Sequence, residues 1–224
     1  MSKKILIFGA TGSVGSSLTK LVKESSMDAH LIGKNEDEIS NLKDQTGFSY
    51  SIADVTDQNF IETIDKDLDG LEISGIAYCV GSIDLKPLNL VSKKDYLKSF
   101  ELNLFPIVEI IKKYKDNLKK NKSSVVLFST VAVKQGFPNH SIISPVKASL
   151  EGLTVSLAAE LAPNVRVNCI APSLSKSKMA GKILSNPKIA EGIAKQHPLK
   201  RAVSYTHLRA HETGRNLVCR LLLE

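Results

Sequence analysis

The stretch that decides the fold is Ile5-Leu6-Ile7-Phe8-Gly9-Ala10-Thr11-Gly12-Ser13-Val14-Gly15, a short apolar run followed at once by three spaced glycines. The apolar run predicts a buried strand, and Leu18, Leu21 and Val22 continue with the spacing of a helix. Glycines between such a strand and helix turn the chain tightly and let the backbone approach a pyrophosphate. The helix N-terminus then offers N–H groups and a positive dipole to the anion.

This loop therefore predicts contacts to the phosphates of a dinucleotide. The candidate contacts are Gly9, Thr11, Gly12, Ser13, Val14 and Gly15. A glycine triad alone is weak evidence, but here it follows a first strand and opens a helix, which is the context that supports it. The simpler alternative is a glycine-rich turn that binds no ligand.

Outward from the loop, short apolar runs alternate with longer helical stretches along the chain. The strand candidates are 5–8, 29–32, 50–53, 76–80, 125–128 and 165–170. The helix candidates are 13–26, 36–46, 57–68, 92–120 and 140–162. Most of the runs have the continuous apolar character of strands buried on both faces, which is typical of a parallel sheet. The repeated β-α-β pattern predicts one α/β domain with a doubly wound parallel sheet, a Rossmann-like three-layer fold.

The end of the second strand candidate bears on the choice of dinucleotide. Enzymes that prefer NAD usually place an acid there to hold the ribose hydroxyls, whereas this chain has Gly33-Lys34-Asn35. Without the acid a 2′-phosphate is not repelled, and Lys34 could pair with it. We therefore expect NADP(H) to be favoured over NAD(H). The alternative is that Lys34 is simply one of the chain's 25 lysines.

Composition and charge exclude several other classes of protein. The chain has 224 residues and a net charge of +7. Its densest basic segment, 112–122, contains lysines without an arginine or aromatic platform and predicts a solvated helix end rather than a nucleic-acid surface. No apolar run approaches the roughly 20 residues of a membrane span. Three well-separated cysteines indicate buried thiols in a reducing compartment and no metal site, so we expect a cytoplasmic protein.

The C-terminal stretch 203–224 differs in composition from the rest of the chain. It contains three of the five arginines, Arg209, Arg215 and Arg220, and no lysine. Its sequence resembles a translated adaptor from DNA library preparation, so we interpret 1–202 as the natural domain and 203–224 as a foreign tail. The alternative is a lineage-specific tail.

Six further segments complete a pattern with the glycine loop. They are Asp54-Val55, 78–81, 102–104, 129–132, 147–153 and 166–172. With them, the chain from Lys4 to about Arg201 resembles the short-chain dehydrogenase/reductase superfamily. The resemblance implies that Asp54 and Val55 address the adenine and that Gly81 is the retained glycine of an Asn-Asn-Ala-Gly motif. It also implies that a further helix and an edge strand belong after residue 201, so that the domain is truncated.

The resemblance assigns catalytic roles but fails at one position. It implies that Asn103 supports a proton-relay water, that Thr130 stands in place of the catalytic serine, and that Lys147 holds the nicotinamide ribose. The family's catalytic tyrosine lies four residues before the lysine, where this chain has Ile143. Isoleucine cannot transfer a proton.

His140 is a candidate replacement for the missing proton donor. It precedes Ile143 by three residues and Lys147 by seven, so on a continuous helix all three would share one face. Histidine titrates near neutral pH and is a reasonable donor. One alternative is that His140 is an exposed residue of the first helical turn. Another is a substrate that needs no enzymic proton donor.

Two functions from different classes remain open. The first is an NADP(H)-dependent oxidoreductase that interconverts a carbonyl and an alcohol on a small molecule, with Thr130, Asn103, Lys147 and His140 at the reacting centre. The second is a catalytically silent dinucleotide-binding protein that acts as a sensor or partner subunit. The resemblance also implies a homo-oligomer formed through helices 92–120 and 140–162. We expect neither a nucleic-acid nor a membrane partner.

Overall fold

The computed structural model describes residues 3–68 and 70–173, and these form a six-stranded sheet in the order β3-β2-β1-β4-β5-β6. All neighbouring strands pair in parallel. The strands are β1 (Lys4–Phe8), β2 (Asp28–Gly33), β3 (Ser49–Ile52), β4 (Ile73–Tyr78), β5 (Ser124–Phe128) and β6 (Arg166–Ile170). The doubly wound parallel α/β fold predicted from the sequence is confirmed. The tail expected at 203–224 and the truncation expected after residue 201 fall outside the described residues.

The helices connect the strands on both faces of the sheet. They are α1 (Ser13–Glu24), α2 (Glu36–Thr46), α3 (Phe60–Asp65), α4 (Lys93–Asn103), α5 (Phe105–Lys120), α6 (Ala132–Gln135) and α7 (Ile143–Leu161), with a short 3₁₀ helix at Leu88–Leu90. None of the helices in the described part of the chain is both long enough and apolar enough to cross a membrane.

Alternation along the strands divides the core into two layers. In β1, Leu6 and Phe8 pack in one cluster with α3, α5 and α7, whereas Ile7 packs in a second cluster with α1 and α2. All three side chains are fully buried. Burial of such a side chain contributes about 1.5–3 kcal/mol. A sheet covered on both faces explains why the strands read as continuous apolar runs.

Three of the predicted helices are corrected by the structure. The stretch 57–68 is helical only at Phe60–Asp65. The stretch 92–120 is two helices, because Pro106 lies in the first turn of α5 and cannot donate the backbone hydrogen bond that a continuous helix needs there. The stretch 140–162 is helical only at Ile143–Leu161, because residues 141 and 142 form a turn before the helix.

The topology places the predicted site at one edge of the sheet. The glycine loop, Lys34, Asp54, Gly81 and Thr130 each follow the carboxyl end of a strand. Since β1 lies between β2 and β4, the chain changes direction across the sheet at β1, and the crevice at such a switch point is where open α/β sheets bind ligands.

Candidate active site

The glycine loop has no room for side chains at two of its glycines. Gly9 has a φ of +71°, and a Cβ atom on it would lie 3.0 Å from the amide nitrogen of Val80. A Cβ on Gly15 would overlap the carbonyl oxygen of Gly9 and lie 2.8 Å from the Cα of Ala10. Helix α1 therefore packs directly on the loop at Gly15, and the backbone that follows β4 packs on the loop at Gly9, so each close approach requires glycine.

The N-terminus of α1 faces this loop without a side-chain cap from the described residues. Gly12 is the N-cap residue and has no side-chain acceptor, and the first turn contains no acidic residue. Gly12 itself is exposed, whereas Thr11, Ser13 and Val14 are half-buried around it. The positive end of the helix dipole is thus left to an anion, as a pyrophosphate site needs.

At the far end of the cleft, Lys34 and Asp54 form an ion pair between the ends of β2 and β3. The Lys34 Nζ lies 3.3 Å from the Asp54 Oδ2. Thr56 donates to the Asp54 Oδ1 through its backbone N–H at 3.0 Å and its hydroxyl at 2.8 Å. Partial burial raises the pKa of Asp54, but the hydrogen bonds from Thr56 and Lys34 outweigh this effect, and the pKa stays below its ordinary value.

The side chain of Val55 is buried in the hydrophobic core. Sequence reasoning places Val55 beside the adenine, and a contact there would have to come from its main chain.

Three residues from separate elements meet behind the loop after β4. A Cβ atom on Gly81 would lie 3.0 Å from the Asn103 Oδ1 and 3.0 Å from the Lys147 Nζ. Asn103 is fully buried at the end of α4 and donates through its Nδ2 to the Ser99 carbonyl at 2.8 Å. Its Oδ1 has no hydrogen-bond partner within the described part of the chain. A buried acceptor of this kind is normally satisfied by a water or a ligand.

Lys147 is an almost completely buried ammonium group. Its exposed fraction is 8%. Burial lowers its pKa to about 8, while the nearby Cys169 and Cys79 raise it and only partly oppose the burial. Burial also raises the pKa of Cys79 to about 12, so this thiol stays neutral beside the lysine. The described residues contain no group of His, Cys, Asp or Glu side chains suited to a metal ion.

The two neighbouring hydroxyls after β5 have different surroundings. Ser129 is buried, and its hydroxyl donates to the Glu151 Oε1 of α7 at 2.7 Å. Thr130 is half-buried, and its Oγ1 accepts the backbone N–H of Ala132 at 3.3 Å. Ser129 is therefore committed to helix packing, whereas the Thr130 hydroxyl retains a proton to donate.

The position four residues before Lys147, where the resemblance places the family's tyrosine, is filled by a core side chain. Ile143 is the first residue of α7 and is 3% exposed. It lies one helical turn before Lys147, so the two side chains share a helix face. The structure places no phenol at this position.

His140 lies before α7 and not on it, so the predicted shared helix face of His140, Ile143 and Lys147 is wrong. The imidazole is half-buried, and its Nδ1 lies 2.7 Å from the carbonyl oxygen of Pro138, which can only accept. The ring also packs against Phe137, with centroids 5.4 Å apart. The Nε2 is therefore the ring nitrogen left for other chemistry.

His140 nevertheless lines a cavity of about 440 Å³. The other lining residues are Leu88, Gly136, Phe137, Asn139, Ser141, Ser144 and Pro145. Ser144 joins this cavity to the site, because its hydroxyl donates to the carbonyl of Ala132, two residues after Thr130, at 3.0 Å.

Two tyrosines that sequence reasoning did not single out position these elements. The Tyr78 hydroxyl donates to the Leu102 carbonyl at 2.7 Å, next to Asn103, and burial raises the pKa of Tyr78. The Tyr96 hydroxyl donates to the Ser141 carbonyl at 2.9 Å. A tyrosine in a strand carries no sequence signal for such a long-range bond, although a buried phenol regularly finds a partner.

The fold and the glycine-loop site define a dinucleotide-binding α/β protein, and comparison with known proteins identifies the family. The chain belongs to the short-chain dehydrogenase/reductase superfamily: the family described as Enoyl-(Acyl carrier protein) reductase matches residues 9–211. The matched range ends inside the stretch 203–224, whose foreign origin stays a prediction.

Curated relatives and solved structures agree with this assignment. A chloroplastic tropinone reductase homolog of Arabidopsis thaliana is 28% identical, with 88% of this chain and 64% of the relative covered. The L-xylulose reductase of Bos taurus is 25% identical, with 89% and 82% covered. The chain thus spans less than two thirds of the first relative and most of the second.

The fold is also similar to a short-chain dehydrogenase/reductase from Brucella melitensis, with a TM-score of 0.84, 21% identity, and 91% and 84% of the two chains covered. A structure described as ElxO with NADP bound gives a TM-score of 0.82 at 20% identity, with 92% and 87% covered. At these identities the likeness shows the fold alone.

Proposed function

We propose that this protein is an NADP(H)-dependent oxidoreductase that interconverts a carbonyl and an alcohol on a small molecule. The observation that carries the proposal is the convergence of three groups beside the glycine loop. They are Gly81, the buried Lys147 Nζ and the Asn103 Oδ1, which has no partner among residues 3–68 and 70–173. When bound, the nicotinamide cofactor supplies or accepts a hydride. The residues present fit a dinucleotide. The glycine loop is too tight for side chains, which lets its backbone approach a pyrophosphate. No carboxylate is among the groups that shift the pKa of Lys147, so its ammonium is available to a ribose hydroxyl.

Each part of the site has a role in this proposal. The loop from Gly9 to Gly15 and the N-terminus of α1 hold the pyrophosphate, and Lys34 addresses the 2′-phosphate. Asp54, the main chain of Val55 and Gly81 border the adenosine, while Lys147 donates to the nicotinamide ribose. The Thr130 hydroxyl donates to the substrate oxygen and stabilises the charge that develops there.

The proton is assigned to His140. With its Nδ1 donating to Pro138, the imidazolium presents its Nε2–H to the cavity, and the neutral ring presents an acceptor there. The side chain can therefore give a proton during reduction and take one during oxidation. This role replaces the phenol that Ile143 lacks.

A second function, a silent dinucleotide-binding protein, is favoured by the burial of Ile143. An apolar side chain that is 3% exposed closes the position where the proton would pass. In that case cofactor binding is retained and turnover is absent.

One set of variants separates the two functions. NADPH oxidation is followed across a panel of carbonyl compounds for wild type, His140→Ala, Ile143→Tyr and Ile143→Phe, with cofactor binding measured by fluorescence in each. The oxidoreductase proposal expects wild-type turnover and a loss of about 10²-fold or more in His140→Ala, the range of a general acid. Binding without turnover, with activity gained in Ile143→Tyr but not in the phenylalanine control, would establish the silent function.

Two further properties belong to this proposal. Exposed apolar side chains lie on α4, α5 and α7, namely Leu97, Phe105, Val108 and Val155. They support a homo-oligomer through these helices, because a partner subunit could bury apolar side chains that one chain leaves exposed. Light scattering should show a mass above that of one chain, and Val108→Glu should reduce it. Cys79 and Cys169 are unpaired, which supports a cytoplasmic location.

A further inference from the structure

The ion pair between Lys34 and Asp54 lies where the 2′-phosphate of the proposed cofactor would be recognised. We propose that Asp54 limits selectivity for NADP(H) by competing with the 2′-phosphate for the Lys34 ammonium. This inference rests on the proposed function in one respect, namely that a nicotinamide dinucleotide binds in the cleft.

Lys34 is the only cation in the segment 33–38, from the end of β2 to the first turn of α2. The sequence from 33 to 38 is Gly-Lys-Asn-Glu-Asp-Glu, so one lysine precedes three acids at the start of α2. A 2′-phosphate entering here meets a single favourable charge. Whatever engages Lys34 therefore changes the preference for the phosphorylated cofactor directly.

Asp54 is held so that it engages Lys34 persistently. The backbone N–H and hydroxyl of Thr56 both donate to the Oδ1, which fixes the carboxylate and leaves the Oδ2 directed to Lys34 at 3.3 Å. The same hydrogen bonds lower the pKa of Asp54, so the carboxylate stays charged at neutral pH. Its side chain is 29% exposed, whereas that of Lys34 is 74% exposed.

The unequal exposure decides which partner moves. The lysine is long and mostly in solvent, so it can turn from Asp54 to a phosphate, while the carboxylate stays bound to Thr56. The Lys34 ammonium can bind the 2′-phosphate only by giving up its ion pair with the Asp54 carboxylate. The discrimination between NADPH and NADH is consequently smaller than Lys34 alone would give.

The test is a double-mutant cycle on binding. The dissociation constants of NADPH and NADH are measured by fluorescence titration for wild type, Asp54→Asn, Lys34→Ala and the double variant. Asparagine keeps an acceptor for Thr56 and removes the charge. We expect the ratio of the NADH to the NADPH constant to rise about two- to fivefold in Asp54→Asn, the range of a partly exposed charge pair. This gain should vanish in the Lys34→Ala background.

Asp37→Asn provides the matched control, because Asp37 is an exposed acid of the same segment with no ion pair to Lys34 among the described contacts. The proposed competition would be overturned if the ratio of dissociation constants rose equally in Asp37→Asn, or if it did not rise in Asp54→Asn. It would also be overturned if Asp54→Asn raised the ratio equally in the Lys34→Ala background. Because both cofactors contain the adenine, a general loss of adenine binding changes both dissociation constants and leaves their ratio unchanged. Failure of wild type to bind either cofactor would instead refute the proposed function along with this inference.

Discussion

Acidification should destabilise this fold through one buried side chain, His30 of β2, which is 1% exposed. Its Nε2 lies 2.8 Å from the Ser51 hydroxyl, which donates to the Asp67 Oδ2 at 2.6 Å. Since Ser51 uses its one proton on the carboxylate, it must accept from the Nε2–H. The Nδ1 then accepts from the Ser49 hydroxyl at 2.9 Å. The network therefore holds a neutral imidazole in one tautomer.

The size of the effect follows from the pKa of His30. Burial lowers it from 6.5 to about 4, with Asp67 opposing the burial and Lys4 adding to it. Because the folded pKa lies below the unfolded one, the unfolded chain binds more protons in this interval, and stability falls as the pH drops from about 6.5 towards about 4. At about 1.36 kcal/mol per pH unit, the interval corresponds to a loss of about 3 kcal/mol. Below the folded pKa this histidine contributes no further change.

The assay is urea unfolding, followed by circular dichroism at several pH values, for wild type and His30→Gln. The variant should be less stable at neutral pH, but on acidification it should lose about 3 kcal/mol less than wild type, because it lacks the proton that His30 takes up on unfolding. The slope of unfolding free energy against pH should differ between the two proteins by the contribution of this one proton. An NMR titration of His30 in wild type measures the pKa directly and does not depend on the variant folding. A value near 6.5, or equal slopes for both proteins, would refute this account of the network.

Three other substitutions test the site. Gly15→Ala should abolish dinucleotide binding measured by fluorescence, because its Cβ would overlap the Gly9 carbonyl oxygen. Gly152→Ala is its matched control: Gly152 is an exposed position of α7 and the added Cβ meets open space among the described residues, so the protein should gain about 0.5–1 kcal/mol in urea unfolding with binding unchanged. Tyr78→Phe should cost about 1 kcal/mol and weaken cofactor binding, since it removes the bond to the Leu102 carbonyl beside Asn103; unchanged binding would disprove the positioning role.

The sheet and the glycine loop could be predicted because their signals are local. Strands buried on both faces need continuous apolar runs, and a backbone as tight as that at Gly9 and Gly15 leaves glycine as the fitting residue. The helix boundaries were harder to predict from the sequence. The break before Pro106 has a local cause in the proline, but the start of α7 at Ile143 has no side-chain cap that the sequence could reveal.

Contacts between distant parts of the chain account for what the sequence could not show. Lys34 and Asp54 were each assigned to the cofactor, but their ion pair spans 20 residues and depends on β2 and β3 being neighbours. His140 was placed on a helix that begins three residues later. Its relation to the cavity comes instead from the loop that Tyr96 ties to α4.

The burial of Lys147 argues that dinucleotide binding is retained whichever of the two functions is correct. A lysine whose pKa falls from 10.5 to about 8 on folding is disfavoured by about 3 kcal/mol at neutral pH relative to a solvated one. The neutral thiols of Cys79 and Cys169 are poor hydrogen-bond partners for the Lys147 ammonium, and the apolar side chain of Ile143 provides no partner. The Asn103 Oδ1, a buried acceptor without a partner among the described residues, is a second unfavourable group, and it lies beside Gly81 as Lys147 does. Ribose hydroxyls can satisfy the ammonium, and a water or ligand can satisfy the amide oxygen, so a bound dinucleotide explains both groups without any proton transfer. Isoleucine at position 143 is therefore compatible with dinucleotide binding under either function, and the His140→Ala and Ile143→Tyr variants distinguish the two functions.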